Sequence, residues 1–527
     1  MIGITMKKAF SIAAISAGTI LGAQSVNAEV TKPNIVIIFA DDMGYGDVSG
    51  LNENSKIQTP NIDRLVNEGM VFTDAHTSSS VSTPSRYSLM TGRYSWRTWL
   101  KSRVLNGYQR ALIPPDRVTL PSMLRENGYR TAMIGKWHLG MNMATDGSVS
   151  EAMDIKIPQT AIDFRGRITG GPADVGFDTF YGLSASLDFP PYVFINQDRF
   201  EQVPLKYYDN WKIDKSNTFG REGYADANLV AQDAMPRLTR KTVEYIENYD
   251  DDKPFFLYMP LTAPHTPIAP NSRFIGQSGL NAYGDFCLEV DDTVGQVLDA
   301  LDRSGLSEET IVIFSSDNGC SNAANIPQME KRGHYPSYIY RGSKADIWEG
   351  GHRVPMLVRW PDVVKPGGES DAMIGLVDVL ATFADMVDYD LADNAGEDSE
   401  SFMQALRGMR LKSERKGIIN HTVFGYFAIR TKDWKLIFCP GSGGWTAPKD
   451  NQARELGLPE MQLYHIATDP GEKSNIIDKH PDKVKELTEL ITKYVEDGRS
   501  TSGEIQKNDT SNDWEQLVWM SSEANNE

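Results

Sequence analysis

Asn34-Ile35-Val36-Ile37-Ile38-Phe39-Ala40 is an unbroken apolar run rich in β-branched residues, and it stops at Asp41-Asp42 with Gly44 and Gly46 close behind. A strand buried on both faces of a parallel sheet reads this way. Two carboxylates at its end fall where open α/β sheets gather ligands. Like charges there call for a cation or a proton between them, although Asp-Asp-x-Gly alone is also an ordinary turn. The pattern returns in Ile311-Val312-Ile313-Phe314, which leads to Asp317-Asn318-Gly319. Asp41, Asp42, Asp317 and Asn318 form a hard-oxygen set that suits calcium or magnesium; zinc would more often recruit His or Cys.

Working outward, Tyr129 to Ile134 reads as a further strand and delivers Gly135-Lys136-Trp137-His138-Leu139-Gly140. Pro254 to Met259 leads to Ala263-Pro264-His265-Thr266-Pro267, where a histidine braced by prolines suits a positioned proton donor. Gly342-Ser343-Lys344 and Glu349-Gly350-Gly351-His352-Arg353-Val354-Pro355 precede a strand to Trp360. Helical patterns separate these strands: Thr59-Pro60 to Gly69, Thr119 to Asn127, Val230 to Ile246 and Val290 to Leu301. Ser82-Thr83-Pro84-Ser85-Arg86, followed by Leu89-Met90-Thr91-Gly92-Arg93, reads as a helix start with Ser82 as N-cap, Pro84 just inside and Gly92 as the stop. Taken alone it is a capped helix; it is also a small residue at the positive end of a helix with Arg86 one turn along, suited to an anion. Residues 141 to about 225 lack periodicity and read as irregular, substrate-shaping loops. Beyond residue 400, Phe424 to Arg430, Trp434 to Cys439 and Leu463-Tyr464 read as antiparallel strands, and Val484, Leu487, Ile491 and Tyr494 mark an amphipathic helix.

At 527 residues the chain exceeds a single core and predicts a large domain plus a smaller one. A net charge of −18 argues against nucleic acid and anionic membrane surfaces. Lys7 and Lys8, the apolar stretch Ala9 to Gly22 and the Val26-Asn27-Ala28 end read as a cleaved secretory signal, too short for a comfortable membrane span. The expected divisions are a signal peptide over 1–28, a catalytic α/β domain over 29–405, an α+β subdomain over 406–498 and a loosely packed tail over 499–527. The mature chain is expected in a bacterial periplasm or outside the cell, with no integral membrane segment. Cys287, Cys320 and Cys439 can form at most one disulfide and read as structural.

The Ser82 to Arg93 stretch resembles the signature of the type I sulfatases of the alkaline phosphatase superfamily. Asp41-Asp42, Gly135-Lys136-Trp137-His138, Pro264-His265, Asp317-Asn318-Gly319 and Lys344 before Glu349-Gly350-Gly351 match that family in kind and order, from about residue 33 to about 497. The resemblance implies a large mixed, mostly parallel sheet sandwiched by helices with a smaller C-terminal α+β subdomain. It implies a formylglycine nucleophile formed from Ser82 by a maturation enzyme, of the serine type. Asp41, Asp42, Ser82, Asp317 and Asn318 would hold calcium, with magnesium as the alternative. Arg86 and Lys136 would steady the nucleophile and the developing charge. His265 and Lys344 would bind sulfate, with His265 protonating the leaving alcohol and His138 taking the proton that releases sulfate.

The expected activity is sulfate release from a sulfated oligo- or polysaccharide, such as carrageenan or another glycan. The alternatives are a phosphodiester or phosphonate monoester hydrolase of the same superfamily and a non-catalytic sulfated-glycan-binding protein. Trp96, Arg97, Trp99, Arg165, Arg167, Asp188 and Tyr192 are expected sugar contacts, on their aromatic or charged character in loops.

Overall fold

The Asn34–Ala40 strand lies inside a ten-stranded sheet in the computed structural model, which describes residues 32–149, 158–208, 220–411 and 415–523. The expected signal peptide lies outside the described residues. Five parallel strands make the centre, in the spatial order Thr310–Ser316, Asn34–Ala40, Phe255–Pro260, Arg130–Lys136 and Thr179–Leu183. Met356–Arg359 continues the sheet antiparallel on one side, and Ile195–Asn196 does so on the other. Register is fixed by burial on both faces. Ile35, Ile37 and Phe39 point into one core with Tyr87, Leu89, Met123 and Phe383, and Val36, Ile38 and Ala40 into the opposite one with Leu238, Val290, Val294 and Ile62. A one-residue slip would exchange the two sets.

Because the central strands run parallel, their carboxyl ends lie on one edge, and Asp41, Lys136, His265 and Asp317 all follow or end them. The long helix Ala282–Arg303 and the helix Ala234–Glu247 cover one face. The helix Ser82–Thr91 covers the other, with every residue buried. Gly92 ends that helix at φ 63°, a left-handed position that favours glycine.

A four-stranded antiparallel sheet follows, ordered Ile418–His421, Phe427–Arg430, Trp434–Ile437 and Gln462–His465, with the helix Pro481–Glu496 packed on it. Residues Pro33–Glu527 form one compact unit.

Three expectations need correction. Ser82 is the first helical residue and Val81 the cap; the Ser82 hydroxyl is turned to Asp41 instead of capping. The 141–225 stretch contains the Thr179–Leu183 strand, whose Thr-Phe-Tyr-Gly-Leu sequence is too short to show a period, and the pair Ile195–Asn196 with Arg199–Phe200. The segment after Arg499 is docked through its described part: Asp509 pairs with Arg93, and Trp519 packs on Phe427 and Phe438. All three cysteines are buried and unpaired.

Candidate active site

Ser82 sits at the carboxyl edge of the sheet, 1% exposed, with its Oγ 3.3 Å from Asp41 Oδ1 and 3.4 Å from Lys136 Nζ. Lys136 donates to Asp41 Oδ2 at 2.6 Å. Arg86, one turn into the helix, donates to Asp317 Oδ2 through Nε and Nη2 at 3.1 and 2.8 Å. Lys344 reaches Asp42 at 2.6 Å, and His265 Nε2 lies 3.7 Å from Asp42 Oδ2. The helix start therefore sets Ser82 beside carboxylates delivered by two neighbouring strands.

Burial opposes the charge on Asp41, but Lys136, His265, Arg86 and Lys344 outweigh it and hold the carboxyl well below the usual range. Asp317 moves the other way, pushed up by burial and by the charge of Asp41 despite Arg86. Asp41, Asp42 and Asp317 are matched by Arg86, Lys136 and Lys344, so the ring of fixed charges sums to zero. A net positive site for an anion then needs a further cation.

Several buried polar atoms here lack a protein partner: Asn318 Oδ1, His138 Nδ1 and Arg86 Nη1. Asn318 donates its amide to Asp42 Oδ1 and the Gly319 carbonyl, and its oxygen has no protein partner. Asp41, Asp42 and His265 bring ligand atoms within 4.8 Å of one another. The carboxylate oxygens of Asp41 and Asp42 with an orphaned amide oxygen at hand fit a hard divalent cation.

His138 is pushed well below its ordinary pKa by burial and then by Lys136 and Arg86, so it stays neutral. Its Nε2 lies 2.6 Å from the Leu105 carbonyl, which places the proton there and leaves Nδ1 as a lone pair. His138 and Asp42 both hold positive φ, 61° and 69°, which non-glycine residues rarely adopt.

Behind the ring, Asp47 accepts from Gly44 N, lies 2.5 Å from the Tyr283 hydroxyl and 2.8 Å from His334 Nε2; that hydroxyl also reaches the Asp42 carbonyl at 3.0 Å. Sequence reading missed Tyr283 and His334, which carry no local pattern. Asp47, just past Gly44 and Gly46, was within reach of it.

The expected sugar contacts separate. Asp188 is near the ring, 3.9 Å from His265 Nδ1, and its carboxylate is bound by Arg221 at 2.7 Å and Ser186 at 2.6 Å. Trp96 and Arg97 are sealed beneath the second sheet. Arg97 pairs with Asp398 and Asn508, and Trp96 packs on Phe427. Trp99 packs against the main core, and Tyr192 is buried with its hydroxyl bonded to the Arg221 backbone. Arg165 and Arg167 stand exposed beside the outermost strand, where Arg199 donates to the Arg165 carbonyl and Arg167 pairs with Asp198.

A parallel sheet of this order with its chemistry gathered at the carboxyl edge is the arrangement of the alkaline phosphatase-like hydrolases. The chain belongs to the sulfatase family: the Sulfatase family model matches residues 33–389, and a model for the C-terminal part of N-sulphoglucosamine sulphohydrolase matches residues 343–500. It is a sulfatase. An N-acetylgalactosamine-6-O-sulfatase of Bacteroides thetaiotaomicron is 34% identical over 87% of this chain and 92% of its own length. Human arylsulfatase A is 31% identical over 85% of this chain and 84% of its own. A solved structure from work on glycosaminoglycan metabolism by Bacteroides thetaiotaomicron superposes with a TM-score of 0.74 at 33% identity, covering 88% of this chain and 99% of that one. The phosphonate monoester hydrolase of Agrobacterium radiobacter shares the fold at a TM-score of 0.57 and 16% identity, covering 88% and 95%.

Proposed function

We propose that this protein releases inorganic sulfate from a sulfated glycan, using a formylglycine made from Ser82 and a calcium ion held by Asp41, Asp42, Asp317, Asn318 and residue 82. The observation that carries the reading is the orphaned oxygen of Asn318, whose amide holds Asp42, together with the buried Ser82 hydroxyl at Asp41 and a charge ring that sums to zero. Calcium would supply the positive charge that draws the sulfate oxygens in, and the hydrated aldehyde would supply one hydroxyl to attack sulfur and a second to expel sulfate.

This chain's residues supply the proton handling. Lys136, 3.4 Å from the residue 82 oxygen, steadies that side chain. Lys344 and Arg86 offset the charge gathering on the sulfuryl group. His265 donates its Nδ1 proton to the Thr266 carbonyl at 2.7 Å, which turns Nε2 to the cleft as the group that protonates the leaving oxygen. His138, neutral and with an unused Nδ1 lone pair, accepts the proton whose loss releases sulfate.

Similarity to an N-acetylgalactosamine-6-O-sulfatase favours a 6-O-sulfated amino sugar over carrageenan as the substrate, and the N-terminal pattern favours export. Turnover of defined sulfated saccharides, read as free sulfate, tests the activity. Mass analysis of the Ser82 peptide tests the nucleophile: active protein should be short of two hydrogens there. Full activity with intact serine would overturn the formylglycine and leave the fold untouched.

A further inference from the structure

Two cavities open in series beside the charge ring. One of about 660 Å³ is bounded by Asp188, Arg221, Glu222 and Thr266, the last being the neighbour of His265. The next, about 480 Å³, is lined by Asn106, Tyr108, Gln159 and Phe189, and it shares Arg221 and Glu222 with the first. Phe189, on the wall of the second cavity, has its ring centroid 5.6 Å from that of His138 and 3.9 Å from the Arg221 guanidinium.

The walls come from segments distant in sequence and are locked where a side chain would not fit. A Cβ on Gly107 would meet the Pro190 carbonyl oxygen at 1.9 Å, and one on Gly220 the Asp188 Cβ at 2.3 Å. The Tyr192 hydroxyl accepts from Arg221 N and donates to the Arg221 carbonyl. Tyr108 and Gln159 are tied at 3.3 Å, and Gln159 continues to Tyr207 at 3.1 Å. Such fixed walls retain their shape before a ligand arrives, which lowers the ordering cost of binding.

We propose that the second cavity is a subsite for the sugar residue next to the sulfated one, so that the enzyme takes an oligosaccharide rather than a single sulfated sugar. Amide, hydroxyl and aromatic groups on one wall are the chemistry that holds a pyranose, through its hydroxyls and its apolar face. Arg221 is committed to Asp188, at 2.7 Å, and Glu222 stands exposed on the shared wall. The surplus charge there is negative, so the subsite favours a neutral or N-acetylated neighbour over a uronate or a second sulfate. This inference rests on the glycan sulfatase reading above.

The test compares kcat/KM for a sulfated monosaccharide with that for a di- or trisaccharide carrying the same sulfated sugar, on matured protein. The oligosaccharide should lead by about tenfold, or about 1.4 kcal/mol. Gln159→Ala should bring the ratio toward one. Glu222→Gln should raise the relative rate on chains whose neighbouring sugar is a uronate. A wild-type ratio near one, or a ratio untouched by Gln159→Ala in a variant of wild-type melting temperature, overturns the subsite while the glycan reading stands. Absence of sulfate release from every sugar overturns both.

Discussion

Asp41, Asp42 and Asp317 at the sheet edge, and Asp74, Glu349 and Glu472 at the seam with the second sheet, are equally buried, and each trio faces lysine and arginine. In the seam cluster the carboxylates, lysine, arginine and histidines are bound to one another. Lys435 donates to Glu349 at 3.1 Å and His352 Nε2 at 2.9 Å, and lies 2.9 Å from Glu472. His352 and His76 face each other through Nδ1 at 3.1 Å, and His76 Nε2 bonds Asp74, which Arg430 also holds at 3.0 Å. Burial opposes the charge on Glu349, but Lys435 and Arg430 hold it well below the usual carboxylate range. His76, Glu349 and His352 converge as metal ligands do, yet Lys435 occupies the place a cation would take. Both clusters keep atoms without a hydrogen-bond partner, Glu472 Oε1 and Arg430 Nε at the seam and Asn318 Oδ1, His138 Nδ1 and Arg86 Nη1 at the edge, but the edge cluster adds an amide oxygen and the Ser82 hydroxyl to its carboxylates. One arrangement ties two sheets together; the other gathers the residues proposed to hold an ion and an anion.

Four measurements can break or sharpen that contrast. The largest effect falls on Ser82→Ala, which should lower sulfate release by at least about a thousandfold while the protein melts as wild type does. Lys435→Met should do the reverse, destabilising the fold by roughly 3–5 kcal/mol because Glu349 and Glu472 lose their shared cation in a buried site. Urea unfolding measures it, and an unchanged midpoint would mean that the seam is not held by charge.

Acid should act on the seam next. His421 is held down to about 4 by burial, and its carbonyl receives Ser79 Oγ and Ser80 N just ahead of Ser82. A folded pKa below the unfolded value means that the unfolded chain binds more protons between the two. Stability should therefore be complete above about pH 6.5 and fall toward pH 4, by about 3 kcal/mol from this group. His76 and His352, also lowered by burial, act in the same direction. Melting followed across that window checks the sign.

The smallest effect concerns the ion. Calcium at a hundred times its dissociation constant should stabilise the wild-type protein by about 2.7 kcal/mol. Asp317→Asn should erase that gain, and it should also lower the metal-free stability, because the buried Arg86 loses the charge of its paired carboxylate. Equal calcium stabilisation in both proteins would exclude Asp317 as a ligand.

The strand-end chemistry was legible because each piece is local: an apolar run, then an acid, lysine or histidine, then glycine. The sheet brings such ends together wherever its strands run parallel. Trp96 and Arg97 misled because their character is the same in a cleft as under a second sheet. What decides is Asp398 and Asn508, some 300 and 411 positions away in the chain. Arg221 and Glu222 lie in a stretch with no period to read, and glycine contacts between remote loops place them. The hydroxyl of Ser82 looked like a cap because its side chain is the right type; the pull of Asp41 and Lys136 is invisible in sequence.

Ser82 lies in a helix with no exposed residue and is itself only 1% accessible. An enzyme cannot reach that Cβ once the helix has packed between the sheet and its neighbours. A formylglycine here, as proposed above, would therefore have to be made before the chain folds. Modification would come first and collapse second, an order set by where the helix ends up, and a molecule that folded first would keep its serine for as long as it stayed native.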